Sequence, residues 1–124
     1  QTKENCVLKD DVAEIMVKVK DAEVIVYATP IYYYEMAGQM KTLLDRMNPL
    51  FSANYKFRDV YMLSTAADDG PHVADRAVNG LEGWIACFAK AELAGSLFAG
   101  GVTGPGEITN HPALAKAYDM GKNI

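Results

Sequence analysis

The chain has 124 residues, half of them hydrophobic, and a formal net charge of −4. This length and composition predict a single domain with one core, and the excess of acidic residues argues against nucleic acid as the main partner. The longest apolar stretches are much shorter than the ~20 residues that a membrane span requires, so we expect no membrane partner either.

The chain contains two cysteines, Cys6 and Cys87, too few for the disulfide framework of a small secreted domain. A cytoplasmic protein is therefore expected. Neither cysteine has a CxxC partner, and His72 and His111 are not spaced with them as metal ligands, so no metal site is predicted. Cys87 is expected to be a small core residue inside a helix. The sequence starts at Gln1, and we expect the domain to be incomplete at its N-terminus.

The first predicted unit is a helix followed by a strand. Apolar residues between Asp11 and Val19 recur at helical spacing, with Asp10 or Asp11 as the cap. The continuous apolar run 24–27 predicts a strand that is covered on both faces, as in a parallel sheet. Pro30 is expected to end this strand, which makes residues 29–35 a loop.

The alternation of helices and strands continues to the end of the chain. Further helices are predicted at residues 36–47, 78–88 and 110–121, and further strands at residues 60–64 and 93–100. Alternation at this spacing indicates parallel strands with helices on both faces. The predicted fold is a three-layer α/β/α domain built on a doubly wound parallel sheet.

Ligands of open parallel sheets bind beyond the carboxyl ends of the strands. Loop 29–35 lies at such an end, and Tyr32 and Tyr33 could stack on a flat ring, although either could also be an ordinary core or interface residue. Loop 65–72 begins with small residues that allow close backbone approach, and its Asp68 and Asp69 are more typical of caps or solvated charges than of catalysts. The glycine-rich loop 101–109 lacks a recognisable phosphate-binding pattern.

Catalytic side chains are not identified by the sequence. His72 is a lone histidine beside a predicted helix start, which is more typical of surface or capping chemistry. The sequence contains no nucleophile elbow, no HExxH motif and no readable pair of catalytic carboxylates. A cofactor with its own reactivity is therefore favoured.

Three segments closely resemble the flavodoxin-like NAD(P)H-dependent FMN reductases, including those related to iron-sulfur flavoproteins: "DAEVIVYATPIYYYEMAGQMKTLLDR", "LSTAADDG" and "AGGVTGPGEITNHPALAKAYDMGKNI". The resemblance implies that residues 1–124 are the C-terminal part of one flavodoxin-like domain. It also implies that Tyr34 lies at the helix entry or in a subunit contact. The residues implied to bind FMN are Thr29, Pro30, Ile31, Tyr32, Tyr33, Thr65, Ala66, Ala67 and Asp68.

The resemblance implies an FMN-dependent oxidoreductase with NAD(P)H as co-substrate and a quinone-like compound, a flavin or another small molecule as electron acceptor. A homodimer or homotetramer is also implied. The family's phosphate loop has no counterpart in the sequence, and an iron-sulfur cluster is not supported, because only Cys6 corresponds to the cysteine cluster of some relatives. Two alternatives stay open: a flavodoxin-like electron carrier without NAD(P)H turnover, and a non-catalytic α/β binding domain.

Overall fold

The computed structural model describes residues 8–124, in which helices and strands alternate as the sequence predicts. None of the helices in this range is long and apolar enough to cross a membrane. The helices are α1 (Val12–Asp21), α2 (Gly38–Arg46), α3 (Asp75–Ile85) and α4 (Pro112–Lys122), with 3₁₀ turns at Asn48–Ser52 and Glu107–Asn110. The strands are β1 (Val24–Tyr32), β2 (Glu35–Met36), β3 (Asp59–Thr65) and β4 (Glu92–Ala99).

The four strands form one sheet in the order β2-β1-β3-β4. Strands β1, β3 and β4 are parallel, which confirms the prediction of a parallel α/β sheet. The short β2 was not predicted, and it runs antiparallel to the end of β1, where it pairs Ile31 with Met36 and Tyr32 with Glu35. The sheet is therefore mixed, with a hairpin at the carboxyl end of β1.

The prediction that Pro30 ends the first strand is wrong. Strand β1 continues to Tyr32, and Pro30 lies opposite Thr65 in the parallel ladder with β3. Within residues 8–124, β2 pairs with β1 only beyond this point, so Pro30 has a strand partner on the β3 side alone. The predicted loop 29–35 is thus the end of a strand followed by a tight turn.

One face of the sheet carries the main core. Side chains of β1 and β3 on this face pack against α1, α2 and α3 in a single buried cluster. Its aromatic part centres on Phe57, which is fully buried and stacks on Tyr55 with the ring centroids 4.5 Å apart. Cys87 lies outside this core: it follows the end of α3, is exposed, and directs its thiol toward the Gly83 carbonyl at 3.7 Å. The prediction of a buried Cys87 is therefore wrong.

The opposite face of the sheet is covered by α4 over β4. A Cβ atom on Gly95 of β4 would lie 3.1 Å from the Tyr61 ring and 3.4 Å from the end of Met120, so glycine allows α4 to pack closely there. Toward β1 the cover ends, and Val26 is 48% exposed. An apolar groove of about 330 Å³ opens between α4 and this part of the sheet, lined by residues that include Ala28, Leu63, Leu97, Ile108, Ala113 and Leu114.

Candidate functional site

The hairpin after β1 turns at Tyr33 and Tyr34. Both residues have positive φ values, 52° and 68°, as the two central residues of a type I′ turn require. Asn-Gly is the usual sequence there, because a left-handed backbone costs roughly 1–2 kcal/mol for other residue types. Neither side chain is buried, since Tyr33 is 97% exposed and Tyr34 is 50% exposed. Core packing therefore does not explain the two tyrosines.

The hairpin and the loop after β3 form the two walls of a cleft at the carboxyl end of the sheet. Its volume is about 410 Å³. One wall carries Ile31 and the three consecutive tyrosines, and the other carries the small residues that follow β3. The lining residues are Ile31, Tyr32, Tyr33, Tyr34, Ala66, Ala67, Asp68 and Val73. The structure thus brings together six of the nine residues implied by the resemblance, and it adds Tyr34 and Val73.

The other three implied residues, Thr29, Pro30 and Thr65, do not line this cleft. Thr29 is 5% exposed, and its hydroxyl accepts a hydrogen bond from the Ala37 amide at 3.0 Å and donates one to the Pro30 carbonyl at 2.9 Å. It therefore ties the end of β1 to the start of α2. Pro30 and Thr65 line the groove beside α4. A role in FMN binding stays a prediction for all nine residues.

The loop after β3 is held by its neighbours and still presents free amides. The Ala66 amide donates to the Ala99 carbonyl, and the Ala66 carbonyl accepts from the Val102 amide. The Asp68 carboxylate accepts from the Gly70 amide at 2.8 Å, which stabilises the turn of the loop and does not cap α3, whose N-cap residue is Ala74. Within residues 8–124 the amides of the loop residues 67–69 have no hydrogen-bond acceptor. These donors are available to a ligand.

The glycine-rich loop after β4 supports the loop after β3. A Cβ atom on Gly100 would lie 2.5 Å from the Asp69 Cα, so only glycine allows the two loops to touch. Further along, the Glu107 carboxylate accepts from the Thr103 amide and hydroxyl and from the Gly104 amide, at 2.7, 2.7 and 2.9 Å. These hydrogen bonds, those from Thr103 first, hold the pKa of Glu107 below its ordinary value. The amides of Thr103 and Gly104 are thus already bound to a carboxylate.

His72 lies at the surface before α3. Its Nδ1 is 2.8 Å from the Asp75 carboxylate, an exposed pair at the start of the helix. Among residues 8–124 no group of three or more histidine, cysteine or acidic side chains is arranged to hold a metal ion. Cys6, which corresponds to the cysteine cluster of some relatives, lies outside the described residues.

Comparison with known proteins identifies the family. The profile described as NADPH-dependent FMN reductase matches residues 1–103. The chain belongs to this family. An iron-sulfur flavoprotein of Archaeoglobus fulgidus is 42% identical over 52 residues, which are 42% of this chain and 27% of that protein. A putative NAD(P)H-dependent FMN-containing oxidoreductase of Bacillus subtilis, YwqN, is 24% identical over 70 residues, 50% of this chain and 39% of that protein.

Two solved structures share the fold of this FMN reductase family member. The NAD(P)H:quinone oxidoreductase of Methanothermobacter marburgensis superposes with a TM-score of 0.70 at 18% identity, covering 98% of this chain and 66% of that one. The Trp repressor binding protein of Bacillus subtilis gives a TM-score of 0.72 at 20% identity, covering 86% and 73%. These likenesses confirm the flavodoxin-like fold. The matched segments span 27% and 39% of the two curated relatives, well under their full length.

Proposed function

We propose that this chain forms part of the flavin site of an FMN-dependent oxidoreductase that takes electrons from NAD(P)H. The acceptor in this proposal is a small molecule, either quinone-like, a flavin or another compound. The observation that carries the proposal is the cleft between the tyrosine hairpin and the loop after β3, in a chain whose family is that of the FMN reductases. FMN would supply hydride acceptance and onward electron transfer when bound.

The residues of the cleft fit a flat, polar-edged ring. Its volume of about 410 Å³ lies within the range of small-molecule sites. Ala66 and Ala67 carry small side chains, so a ring can approach the backbone closely, and Tyr32 offers an aromatic surface. The free amides of residues 67–69 would hold the polar edge of the ring. Amide donors at that edge stabilise negative charge on a reduced ring.

The phosphate of FMN needs residues that the described part of the chain does not offer. In the glycine-rich loop after β4, the Glu107 carboxylate already accepts hydrogen bonds from the amides of Thr103 and Gly104. On the side of β1 away from β3, positions 24–30 have no strand neighbour within residues 8–124, and Val26 beside this edge is 48% exposed. These features support the proposal that residues 1–124 belong to one flavodoxin-like domain in which a further strand and helix complete the sheet and hold the phosphate.

Assembly and location belong to the same proposal. Tyr34 and Phe51 are exposed aromatic residues, 50% and 64% respectively, that suit a contact between subunits of a homodimer or homotetramer. A cytoplasmic location, with no nucleic acid or membrane as partner, fits the acidic composition. The electron donor in this proposal is either NADH or NADPH.

Two matched variants test the flavin site. Tyr32→Ala removes an aromatic side chain from the cleft, and we expect FMN affinity to fall roughly tenfold, with slower NAD(P)H oxidation. Tyr118→Ala removes a 70% exposed tyrosine from α4, outside the cleft lining, and should change neither quantity. Titration of flavin fluorescence against the full-length protein measures the affinity. Equal affinity and equal turnover in the two variants would contradict the site.

The visible spectrum of the full-length protein separates the proposal from the two alternatives. A flavin spectrum that bleaches on anaerobic addition of NAD(P)H supports the reductase. A flavin that binds but stays oxidised supports an electron carrier. A protein that takes up no FMN supports a non-catalytic binding domain.

A further inference from the structure

His111 lies between the end of β4 and the start of α4, and both nitrogens of its half-buried ring are bound. Its Nδ1 is 3.1 Å from the Ala113 amide nitrogen, and its Nε2 is 3.1 Å from the Gly100 carbonyl oxygen. A backbone amide can only donate a hydrogen bond and a carbonyl oxygen can only accept one, so Nδ1 is the acceptor and Nε2 carries the hydrogen. The two contacts therefore assign the neutral Nε2–H tautomer to His111.

Gly100 connects this histidine to the cleft. A Cβ atom on Gly100 would lie 2.5 Å from the Asp69 Cα and 3.0 Å from the Asp68 carbonyl oxygen, so the Gly100 backbone packs on the loop after β3. Asp68 lines the cleft, and the amides of residues 67–69 are the free donors of that loop. The position of these amides therefore depends on Gly100, whose carbonyl oxygen is bound by the imidazole.

A second proton on the ring is incompatible with this bridge. The proton would be on Nδ1 and would point at the hydrogen of the Ala113 amide, so two donors would face each other. The charged ring can then keep its contact with Gly100 or its place beside Ala113, but not both. Histidine ordinarily changes its charge between about pH 5 and 8, so modest changes in pH act on the bridge.

We infer that His111 is a positioning residue for the cleft: its neutral ring bridges α4 and the Gly100 backbone, and a proton on Nδ1 uncouples the helix from the loop that carries the free amides. The bridge itself rests on the contacts of His111. Its consequence for flavin binding rests on the proposed function, and that consequence is weaker binding of the ring in mildly acidic solution.

Other charged groups on the neighbouring elements do not titrate with the bridge. These groups are the side chains of Asp68, Asp69, Glu107 and Lys116. Within residues 8–124 none of them forms a hydrogen bond or an ion pair with the imidazole, and the Glu107 carboxylate accepts from amides of its own loop. Carboxyl and ammonium groups ordinarily titrate outside the range of about pH 5.5 to 8. The other histidine of the chain, His72, is the competing source of a pH effect in this range.

Hydrogen exchange, measured without a ligand, tests the bridge. The Ala66 amide donates to the Ala99 carbonyl and the Val102 amide donates to the Ala66 carbonyl, so both amides report on the contact between the two loops. In the full-length protein their protection, corrected for the intrinsic exchange rate, should fall roughly fivefold between about pH 8 and about pH 5.5. Unchanged protection of both amides would overturn the inference.

His111→Asn breaks the bridge at its other end. Asparagine is a good N-cap residue, so its side-chain oxygen can accept from the Ala113 amide at every pH, whereas it is too short to bind Gly100 as well. This variant should show low protection of Ala66 and Val102 already at about pH 8, without further pH dependence, while Ala113 stays protected. If acidification of the unaltered protein reduced protection at Ala113 alone, His111 would be only a helix cap, which overturns the inference.

His72→Asn is the matched control. His72 lies in the loop after β3 and forms an exposed pair with Asp75. The variant should keep the pH dependence of the unaltered protein. A pH dependence that disappears in His72→Asn and persists in His111→Asn would assign the effect to His72 and overturn the inference.

Riboflavin, which carries the flavin ring without a titrating phosphate, connects the bridge to the proposed function. The unaltered full-length protein should bind riboflavin roughly fivefold more weakly at about pH 5.5 than at about pH 8, and His111→Asn should bind it weakly at both. An affinity of the unaltered protein that does not change with pH would overturn the role of His111 in positioning the cleft. Failure to bind riboflavin at any pH would count against the proposed function, and the exchange measurement, which needs no ligand, would still decide the inference.

Discussion

The two faces of the sheet are covered very differently, and adjacent residues of β1 show the contrast. Ile25 and Tyr27 are 7% and 6% exposed beneath α1–α3, whereas Val26 between them is 48% exposed on the α4 side. Side chains alternate between the two faces of the sheet along a strand, so the exposures of adjacent residues show how well each face is covered. A strand that is apolar on both faces is typical of a sheet covered on both sides. The composition of β1 thus agrees with the proposed further strand and helix, since Val26 is half-exposed within residues 8–124.

Alanine substitutions at Ile25 and Val26 test this contrast and have the largest expected effect on stability. Ile25→Ala removes side-chain atoms from the main core and should lower the free energy of unfolding by about 2–4 kcal/mol. Val26→Ala removes a half-exposed side chain and should cost less than about 1 kcal/mol. Urea denaturation of the 124-residue chain measures both. A cost for Val26→Ala as large as that for Ile25→Ala would mean that the α4 side is covered in solution, for instance by a second copy.

Two threonines at strand ends, one on each face of the sheet, test the same contrast through their hydroxyl groups. Thr29 lies on the α1–α3 side, and its hydroxyl is the acceptor for the Ala37 amide, so Thr29→Val should cost about 1–2 kcal/mol. Thr65 lies on the α4 side and is partly exposed, and Thr65→Val should change stability by less than about 0.5 kcal/mol. Thr29→Ser retains the hydroxyl and should recover most of the loss. If Thr29→Val and Thr65→Val were equally mild, the hydrogen bond to Ala37 would not stabilise the fold.

The sequence predicted the order of helices and strands because hydrophobic periodicity is a local signal. It missed β2 because the usual sign of a two-residue hairpin is Asn or Gly in the turn, and Tyr33-Tyr34 gives no such sign. The sequence wrongly predicts that Pro30 ends the strand, because proline has no amide hydrogen to donate to a ladder. The hairpin in turn fixes Tyr34 in the cleft, a position that could not be read without β2.

The sequence predicts the candidate site in outline because ligands bind at the carboxyl ends of parallel strands and because the resemblance groups the loops after β1 and β3. Residues 31–33 and 66–68 do line one cleft. Pro30 and Thr65 were grouped with them as members of the same loops, yet they pair with each other in the ladder and line the groove beside α4. Side chains alternate between the two faces of the sheet along each strand. Strands predicted at their full length would therefore have placed Pro30 and Thr65 on the opposite face of the sheet from Ile31.

The prediction with the smallest expected change in Tm concerns α4, which within residues 8–124 covers the face of the sheet opposite α1–α3. The Glu107 carboxylate organises the loop that leads into this helix, and its pKa lies below the ordinary value because Thr103 and Gly104 donate to it. A lowered pKa means that this stabilisation is present above the ordinary pKa of 4.5 and is lost as the pH falls through the lower folded value. Glu107→Gln should therefore lower the Tm at pH 7 by less than Thr29→Val does.

The Tm difference between the unaltered protein and Glu107→Gln should narrow as the pH falls below about 4.5. The Glu107 carboxylate then becomes protonated and loses the charge that glutamine lacks at every pH. Hydrogen exchange should locate the loss in α4, with protection in α1–α3 unchanged, because Glu107 bonds the amides of Thr103 and Gly104 in the loop that leads into α4. Glu82→Gln, on the exposed surface of α3, is the matched control and should show neither effect. A Tm difference that stays constant from pH 7 to pH 3 would show that the charge on Glu107 does not stabilise the loop. Equal loss of hydrogen-exchange protection on both sides of the sheet would show that its two faces unfold as one unit.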